Sequence, residues 1–240
     1  MEQGLHDSLT NETFEADTPH PRKIYSLLTS SDIDEVTQLY MDVFLDDEPT
    51  SRAIAPDRIA AYQDALGYVL ALAENGLSFI ARDGESGGIA GFIFCFDLLD
   101  DPTSDGAPMA ALSRHFPEAI SMIDELEDMF LKRSGVEKGS VLHIYQIGVG
   151  RPYRGRGIAT ALIRQVLRHA GELGYRQVVT DCTSARSRRA FERCGFSGIG
   201  YLAYDAFSYN GVCFFQGLEG GISLMAKYVD PYPLDPSSED

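Results

Sequence analysis

Four cysteines, at positions 95, 182, 194 and 213, form no CxxC pair, and the five histidines are scattered without ligand spacing. So sparse a set supports neither a metal site nor a disulfide framework. No bound metal is expected, and the thiols are expected to sit buried as small apolar groups. Long apolar runs are missing too: the richest stretches, Ile89 to Phe96 and Gly67 to Ala73, are too short to span a bilayer. The first residues carry Glu2, Asp7, Glu12, Glu15 and Asp17 with neither a basic start nor an apolar middle, so no secretory signal is expected and a cytoplasmic location is. Basic charge is scarce, with 20 Lys and Arg against 36 Asp and Glu, for a formal charge of −16. Such a surface repels the phosphate backbone of nucleic acid, so neither nucleic acid nor a membrane is an expected partner.

The scarce basic charge is gathered in one place. Half of it, ten arginines, lies between Arg151 and Arg193, where the only acids are Glu172, Asp181 and Glu192. An acidic chain with one basic island suits a small polyanionic ligand. Within the island, Arg154-Gly155-Arg156-Gly157-Ile158-Ala159 follows an apolar run, Leu142 to Val149, and opens a helix-patterned stretch. Glycine at 155 and 157 permits positive φ and close approach to a phosphate. The helix start adds unsatisfied N–H donors and about half a positive charge, which together make an anion cradle. No GKS/T follows, which excludes a P-loop, and a dinucleotide fingerprint belongs at the start of a βαβ domain, before any hairpin.

At 240 residues and 44% hydrophobic content, with no internal repeat, the chain is expected to form one domain over residues 23–229. A disordered acidic arm, 1–22, precedes it and a loosely ordered tail, 230–240, follows. Ile24 to Leu28 reads as a strand. Ser31 with Asp34 opens a helix whose inner face is Ile33, Val36, Tyr40, Val43 and Phe44, and Pro49 ends it. A second helix from Pro56 to Glu74 faces inward through Ile59, Leu66, Val69, Leu70 and Ala73. Leu77 to Arg82 and Gly88 to Asp97 read as a hairpin, Leu98 to Pro117 as a lid or binding loop, and Glu118 to Arg133 as a helix. After the cradle come a helix facing inward through Ile158, Leu162, Val166, Ala170 and Leu173, and a strand, Arg176 to Cys182. A short helix from Ser187 to Cys194 and strands at Ile199 to Phe207 and Ile222 to Val229 complete the chain.

This order of elements, with Arg154-x-x-Gly157-x-Ala159 and Phe191-Glu192-Arg193-Cys194-Gly195-Phe196, resembles the GNAT superfamily of N-acetyltransferases over residues 24–229. The resemblance implies a mixed α/β fold: a central, mostly antiparallel twisted sheet with a parallel splayed pair, flanked by helices. It also implies acetyl-CoA as acyl donor, held by Ile147, Gly148, Val149, Arg154, Gly155, Arg156, Gly157, Ile158, Ala159 and Thr160. Gly148 is expected to permit a local splay of its strand. Phe44-Leu45-Asp46-Asp47-Glu48-Pro49, Phe116-Pro117, Asp181-Cys182-Thr183-Ser184-x-x-Ser187 and Met225-Ala226-Lys227 are similar to the insect-type arylalkylamine N-acetyltransferases. That narrower likeness implies Glu48 as general base, assisted by the hydroxyls of Thr183 and Ser187, a small-molecule amine as acceptor, and a monomer or homodimer. Alternatives are a polyamine, an aminoglycoside or a protein N-terminus as acceptor, or a CoA-binding regulatory protein without catalysis.

The chemistry requires such a base. An alkylamine with a pKa near ~10.4 is protonated at neutral pH, and only its neutral form attacks a thioester. Three acids at the end of one helix also oppose its dipole, so a compensating partner is expected, with Asp46 and Asp47 read as solvent or substrate-entrance charges. Many family members carry a tyrosine where this chain has Phe191, so the resemblance implies that the leaving group either departs as thiolate or takes a proton from Ser187, Thr183 or water, with Tyr145, Tyr201 and Tyr204 in reserve. His143, alone on its strand, reads as a satisfied structural residue rather than a base.

Overall fold

The structure is a computed structural model that describes residues 23–100, 106–107 and 109–229; the expected arm at 1–22 and tail at 230–240 lie outside the described residues. Along the chain run β1 (Lys23–Leu27), α1 (Ile33–Asp47), α2 (Pro49–Ile54), α3 (Arg58–Glu74), β2 (Phe79–Asp83), β3 (Ile89–Asp97), α4 (Ala110–Ser113) and α5 (Pro117–Ser134). They continue with β4 (Val141–Val149), α6 (Ile158–Glu172), β5 (Gln177–Cys182), α7 (Ala185–Glu192), β6 (Ser197–Ala203) and β7 (Gly221–Tyr228). The seven strands form one sheet in the order β1-β2-β3-β4-β5-β7-β6. Its neighbours pair antiparallel except β4 with β5, which is parallel.

Helices cover both faces of the sheet, so the central strand β3 is buried at every position. Alternation sends Phe92, Phe94 and Phe96 to the face covered by α1, α3 and α5, and Ile93 and Cys95 to the face covered by α6. On the first face Tyr40 of α1 and Tyr68 of α3 are fully buried. Their hydroxyls are satisfied by one side chain, Gln146 of β4, which accepts from Tyr68 at 2.9 Å and donates to Tyr40 at 3.1 Å.

Several boundaries differ from the sequence reading, each for a local reason. The turn into α1 is capped by Thr29 and Asp32, two residues before Ser31 and Asp34: Asp32 accepts from the Thr29 N–H at 2.9 Å and from its hydroxyl at 2.6 Å. Pro49 ends α1 and also begins α2, because proline suits a first helical turn as well as it blocks a continuing one. Ile59 (80% exposed), Leu70 and Leu173 (52% exposed) face solvent, and Ala61, Ala65, Tyr68 and Leu72 line the inner face of α3 with Val69. The close-packed small residues set the rotation of that helix. Cys95 and Cys182 are buried, but Cys213 is exposed, and all four thiols are free. The helix read from Ser187 starts at Ala185, with Ser184 as its cap.

The parallel pair is short. Its ladder runs from Val141 opposite Gln177 to Ile144 opposite Thr180 and stops. At the next residue, Tyr145, β4 carries an extra position against β3, since Phe94 pairs with Gln146 and Cys95 with Ile144. The bulge bends β4 away from β5 and opens the sheet. The expected splay is therefore present, but it begins at Tyr145. Gly148 has another reason to be glycine: a Cβ there meets the Phe92 ring at 2.4 Å.

Candidate active site

The opening between β4 and β5 leads into a cavity of about 610 Å³. One wall is the anion cradle. Gly155 and Gly157 both sit at φ +76°, Gly157 is the N-cap of α6, and the first backbone bond back to it comes from Ala161 at 3.0 Å. The N–H groups of Ile158, Ala159 and Thr160 precede that bond, so no turn of α6 claims them. Past Ile144, β4 keeps β3 on one edge but has no strand on its β5 side, and Ile147, Gly148 and Val149 line the same space.

Glu48 enters from the junction of α1 and α2. Its backbone is extended (φ −76°, ψ 128°), as a residue before proline should be, and its side chain caps α2. Oε2 accepts from the Thr50 hydroxyl and from the Ser51 N–H, both at 2.6 Å, while Oε1 is buried without a protein partner. One oxygen is thus anchored and the other left for a different task. Thr183 and Ser187 line the cavity from the β5–α7 corner. The Ser184 hydroxyl accepts from the Ser187 N–H at 3.1 Å and the Ser187 hydroxyl accepts from the Ser184 N–H at 3.3 Å, closing a capping box, while the Ser187 hydroxyl donates to the Ser184 carbonyl at 2.9 Å. The remaining wall is apolar: Val43 and Phe44 from α1, Met109, Phe116, and Ile120 and Ile123 from α5.

Of the residues singled out from the sequence, Glu48, Thr183, Ser187, Ile147, Gly148, Val149, Arg154, Gly155, Gly157, Ile158, Ala159 and Thr160 all face this cavity. Arg156 does not line it and lies over the Tyr153 ring, 5.8 Å from its centroid. Asp47, expected as a solvent or substrate-entrance charge, is tied to the cradle: Arg151 reaches its Oδ1 at 2.9 Å and Arg154 its Oδ2. Arg154 also donates through Nε to the Val149 carbonyl at 3.0 Å, so one guanidinium fastens α1, β4 and the cradle together. The paired arginines hold the Asp47 carboxyl below its ordinary range. With Arg58 beside Asp46 and Asp42, they supply the expected compensation for the acidic end of α1.

Among the reserve tyrosines, Tyr201 is exposed, Tyr204 donates to the Thr183 carbonyl at 2.7 Å, and Tyr145 lines the cavity with its hydroxyl buried. Phe191 is buried against Phe196. His143 is not alone: it is buried between Asp181 and Glu127, the one group of potential metal-ligand side chains among the described residues. Sequence reasoning missed this cluster and the part of α5 in it. The available signal was helical spacing, since Ile120, Ile123 and Glu127 fall on one stripe.

A sheet opened at a parallel pair, with a glycine–arginine helix N-terminus facing the opening, sets an anion site beside an enclosed pocket. Residues 33–196, more than half of the chain, match the Acetyltransferase (GNAT) family, and the chain belongs to that family. It is an acetyltransferase, and acetyl-CoA is its acyl donor. The fold is similar to that of the C-terminal condensation domain of Ebony, solved in complex with beta-alanyl-dopamine, with a TM-score of 0.75 and 19% identity over 87% of this chain and 100% of that one. It is also similar to arylalkylamine N-acetyltransferase 2 from Aedes aegypti (TM-score 0.70, 21% identity, 87% of this chain and 99% of that one). A third similar structure is the Drosophila melanogaster polyamine N-acetyltransferase that forms N-acetylagmatine (TM-score 0.66, 18% identity, 87% and 100%). Among the described residues no helix is long and apolar enough to cross a membrane.

Proposed function

We propose that this chain acetylates the primary amine of a small molecule of arylalkylamine type. The observation that carries the reading is the shared cavity: the cradle, a half-anchored carboxylate and an apolar wall with two aromatic rings, Phe44 and Phe116, all face one space. The two rings lie edge to face, 6.1 Å apart, which suits an aromatic body in the acceptor. The similar structures named for arylalkylamines and bound to beta-alanyl-dopamine support the same class.

In this reading the N–H groups at the start of α6, with the glycines at 155 and 157, hold the diphosphate of the donor. Ile147, Gly148 and Val149 flank its acyl arm in the splay. The bound donor supplies an acetyl thioester as electrophile. Glu48 takes the proton that an ammonium must lose, using Oε1 while Thr50 and Ser51 hold Oε2. Thr183 and Ser187 assist, the second held in place by its bond to the Ser184 carbonyl.

Competition among tryptamine, spermidine, agmatine and a short peptide, read as thiol release from acetyl-CoA, tests the acceptor. The arylalkylamine is expected to give the highest kcat/KM. A preference for peptide with no small-amine turnover, or for spermidine or agmatine over tryptamine, contradicts the proposed class.

A further inference from the structure

Behind the cavity wall lies a set of ionisable side chains that the amine chemistry above leaves unused. Asp181 on β5 lines the cavity with a side chain only 2% exposed. Its Oδ2 is 3.0 Å from Nε2 of His143 on β4, and the other ring nitrogen, Nδ1, is 3.5 Å from Oε1 of Glu127 on α5. The Glu127 side chain is 19% exposed, and Asp124, one turn earlier on α5, lies at the surface. The three form one compact cluster, their ligand atoms all within 4.8 Å of one another, with Asp181 at its cavity end and Glu127 at its solvent end.

No Lys or Arg among the described residues forms an ion pair with any of the three. The groups that face them are Asp124 from α5 and Tyr145 from β4, with Tyr40 of α1 beyond Tyr145. Burial without a cation pushes Glu127 up to about 8 and raises Asp181 as well, and it pushes the His143 imidazole down. As carboxylates, Glu127 Oε1 and Asp181 Oδ1 are buried with no hydrogen-bond donor. A single proton held between the two satisfies both oxygens and halves the buried charge. A metal ion would satisfy them too, but here each ring nitrogen of His143 is turned to a different carboxylate. That geometry suits an imidazole that receives a proton on one side and gives one up on the other.

The reaction needs such a group. When an ammonium is acetylated, the N–C bond forms, the S–C bond breaks, and its electron pair leaves on sulfur. Nitrogen loses two protons, sulfur takes one, and the second has to leave the cavity. We infer that Asp181, His143 and Glu127 form the exit path for this second proton: Asp181 receives it from Glu48 through cavity water, His143 passes it from Nε2 to Nδ1, and Glu127 releases it to solvent. The inference rests on the amine-acetylation reading. None of the three residues touches the reacting atoms; they act by moving charge away from Glu48.

The test compares the full-length protein with Glu127→Gln, His143→Gly and Asp181→Asn, each checked for native circular dichroism. Infrared spectroscopy of the protein without substrate is expected to show a protonated carboxyl near neutral pH that Glu127→Gln removes. With a saturating amine, kcat is expected to rise with pH through about 8 as the path becomes free to accept a proton. In Glu127→Gln that rise disappears and kcat falls by about tenfold or more, with KM for acetyl-CoA unchanged. Added imidazole restores part of the rate to His143→Gly, which a merely structural histidine would not allow. Three results overturn the path while leaving the acetylation reading intact: an unchanged pH profile in folded Glu127→Gln, no protonated carboxyl in the native spectrum, or a stoichiometric divalent metal in the purified protein. No turnover by the native chain with any amine removes the reading and the path together.

Discussion

At position 148 there is no room for a side chain. A Cβ built there lies 2.4 Å from the Phe92 ring and 3.1 Å from Val43, so Gly148→Ala is expected to destabilise the protein by about 1–3 kcal/mol. Urea unfolding checks this: the midpoint should fall with the m value unchanged. Gly157 is the opposite case, for its surroundings are open and a Cβ meets only the Thr160 hydroxyl at 3.8 Å, but φ is +76°. Gly157→Ala therefore tests backbone conformation alone. It should strain the loop by about 1–2 kcal/mol and weaken coenzyme A binding in a calorimetric titration. An unaltered affinity there would detach the cradle from the cofactor. The demand at Gly157 is legible in the sequence, because the loop and the helix start are adjacent in the chain. The demand at Gly148 is not, because the ring that excludes a side chain comes from another strand.

The junction of α1 and α2 shows how one short run serves several elements. Asp47 binds the cradle arginines, Glu48 caps the next helix, and Pro49 both stops one helix and starts another. The sequence discloses the acids and the need for compensation, but their partners, Arg151 and Arg154, come from a distant part of the chain and no local rule pairs them. Helix α5 is similar. Its amphipathic pattern is plain, yet which of its many acids turns inward depends on the rotation set by Ala119, Met122 and Leu126. Turning Glu127 inward has a measurable cost. A carboxyl whose folded pKa is raised binds a proton more tightly in the folded state than in the unfolded one. Its burial therefore costs nothing in acid, and stability declines as pH rises from about 4.3, the unfolded value, toward about 8, the folded one. Thermal unfolding should show a higher Tm near the lower end of that window than at its upper end, and Glu127→Gln should flatten the slope. An equal slope in both proteins would place the Glu127 carboxyl in water.

Over the whole molecule, charge is divided in kind: a chain of net −16 carries a basic island from which Arg154, Arg186, Arg189 and Arg193 line the cavity. The acidic remainder should draw cationic amines inward, and the arginines a polyanionic donor. Raising salt from about 0.02 to about 0.5 M is expected to lower kcat/KM for a cationic amine several-fold while kcat holds, because screening weakens capture and leaves the enclosed chemistry alone. A salt-independent kcat/KM would show that the surface charge plays no part. The order of elements was largely readable, since helix and strand periods, turn glycines and the cradle each leave a local signature. What joins them was not: the bulge at Tyr145, the start of the splay and the Glu127–His143–Asp181 contact depend on pairing between segments far apart in the chain. The central claim is that this one cavity transfers acetyl to a small amine with Glu48 as base. Its most direct test is the rate of N-acetylated product from acetyl-CoA and tyramine, for the native chain and for Glu48→Gln, whose amide keeps an oxygen to cap α2. The account predicts product from the native chain and a loss of about a hundredfold or more in the variant. Equal rates in the two proteins, or no acetylated amine from either, would contradict it.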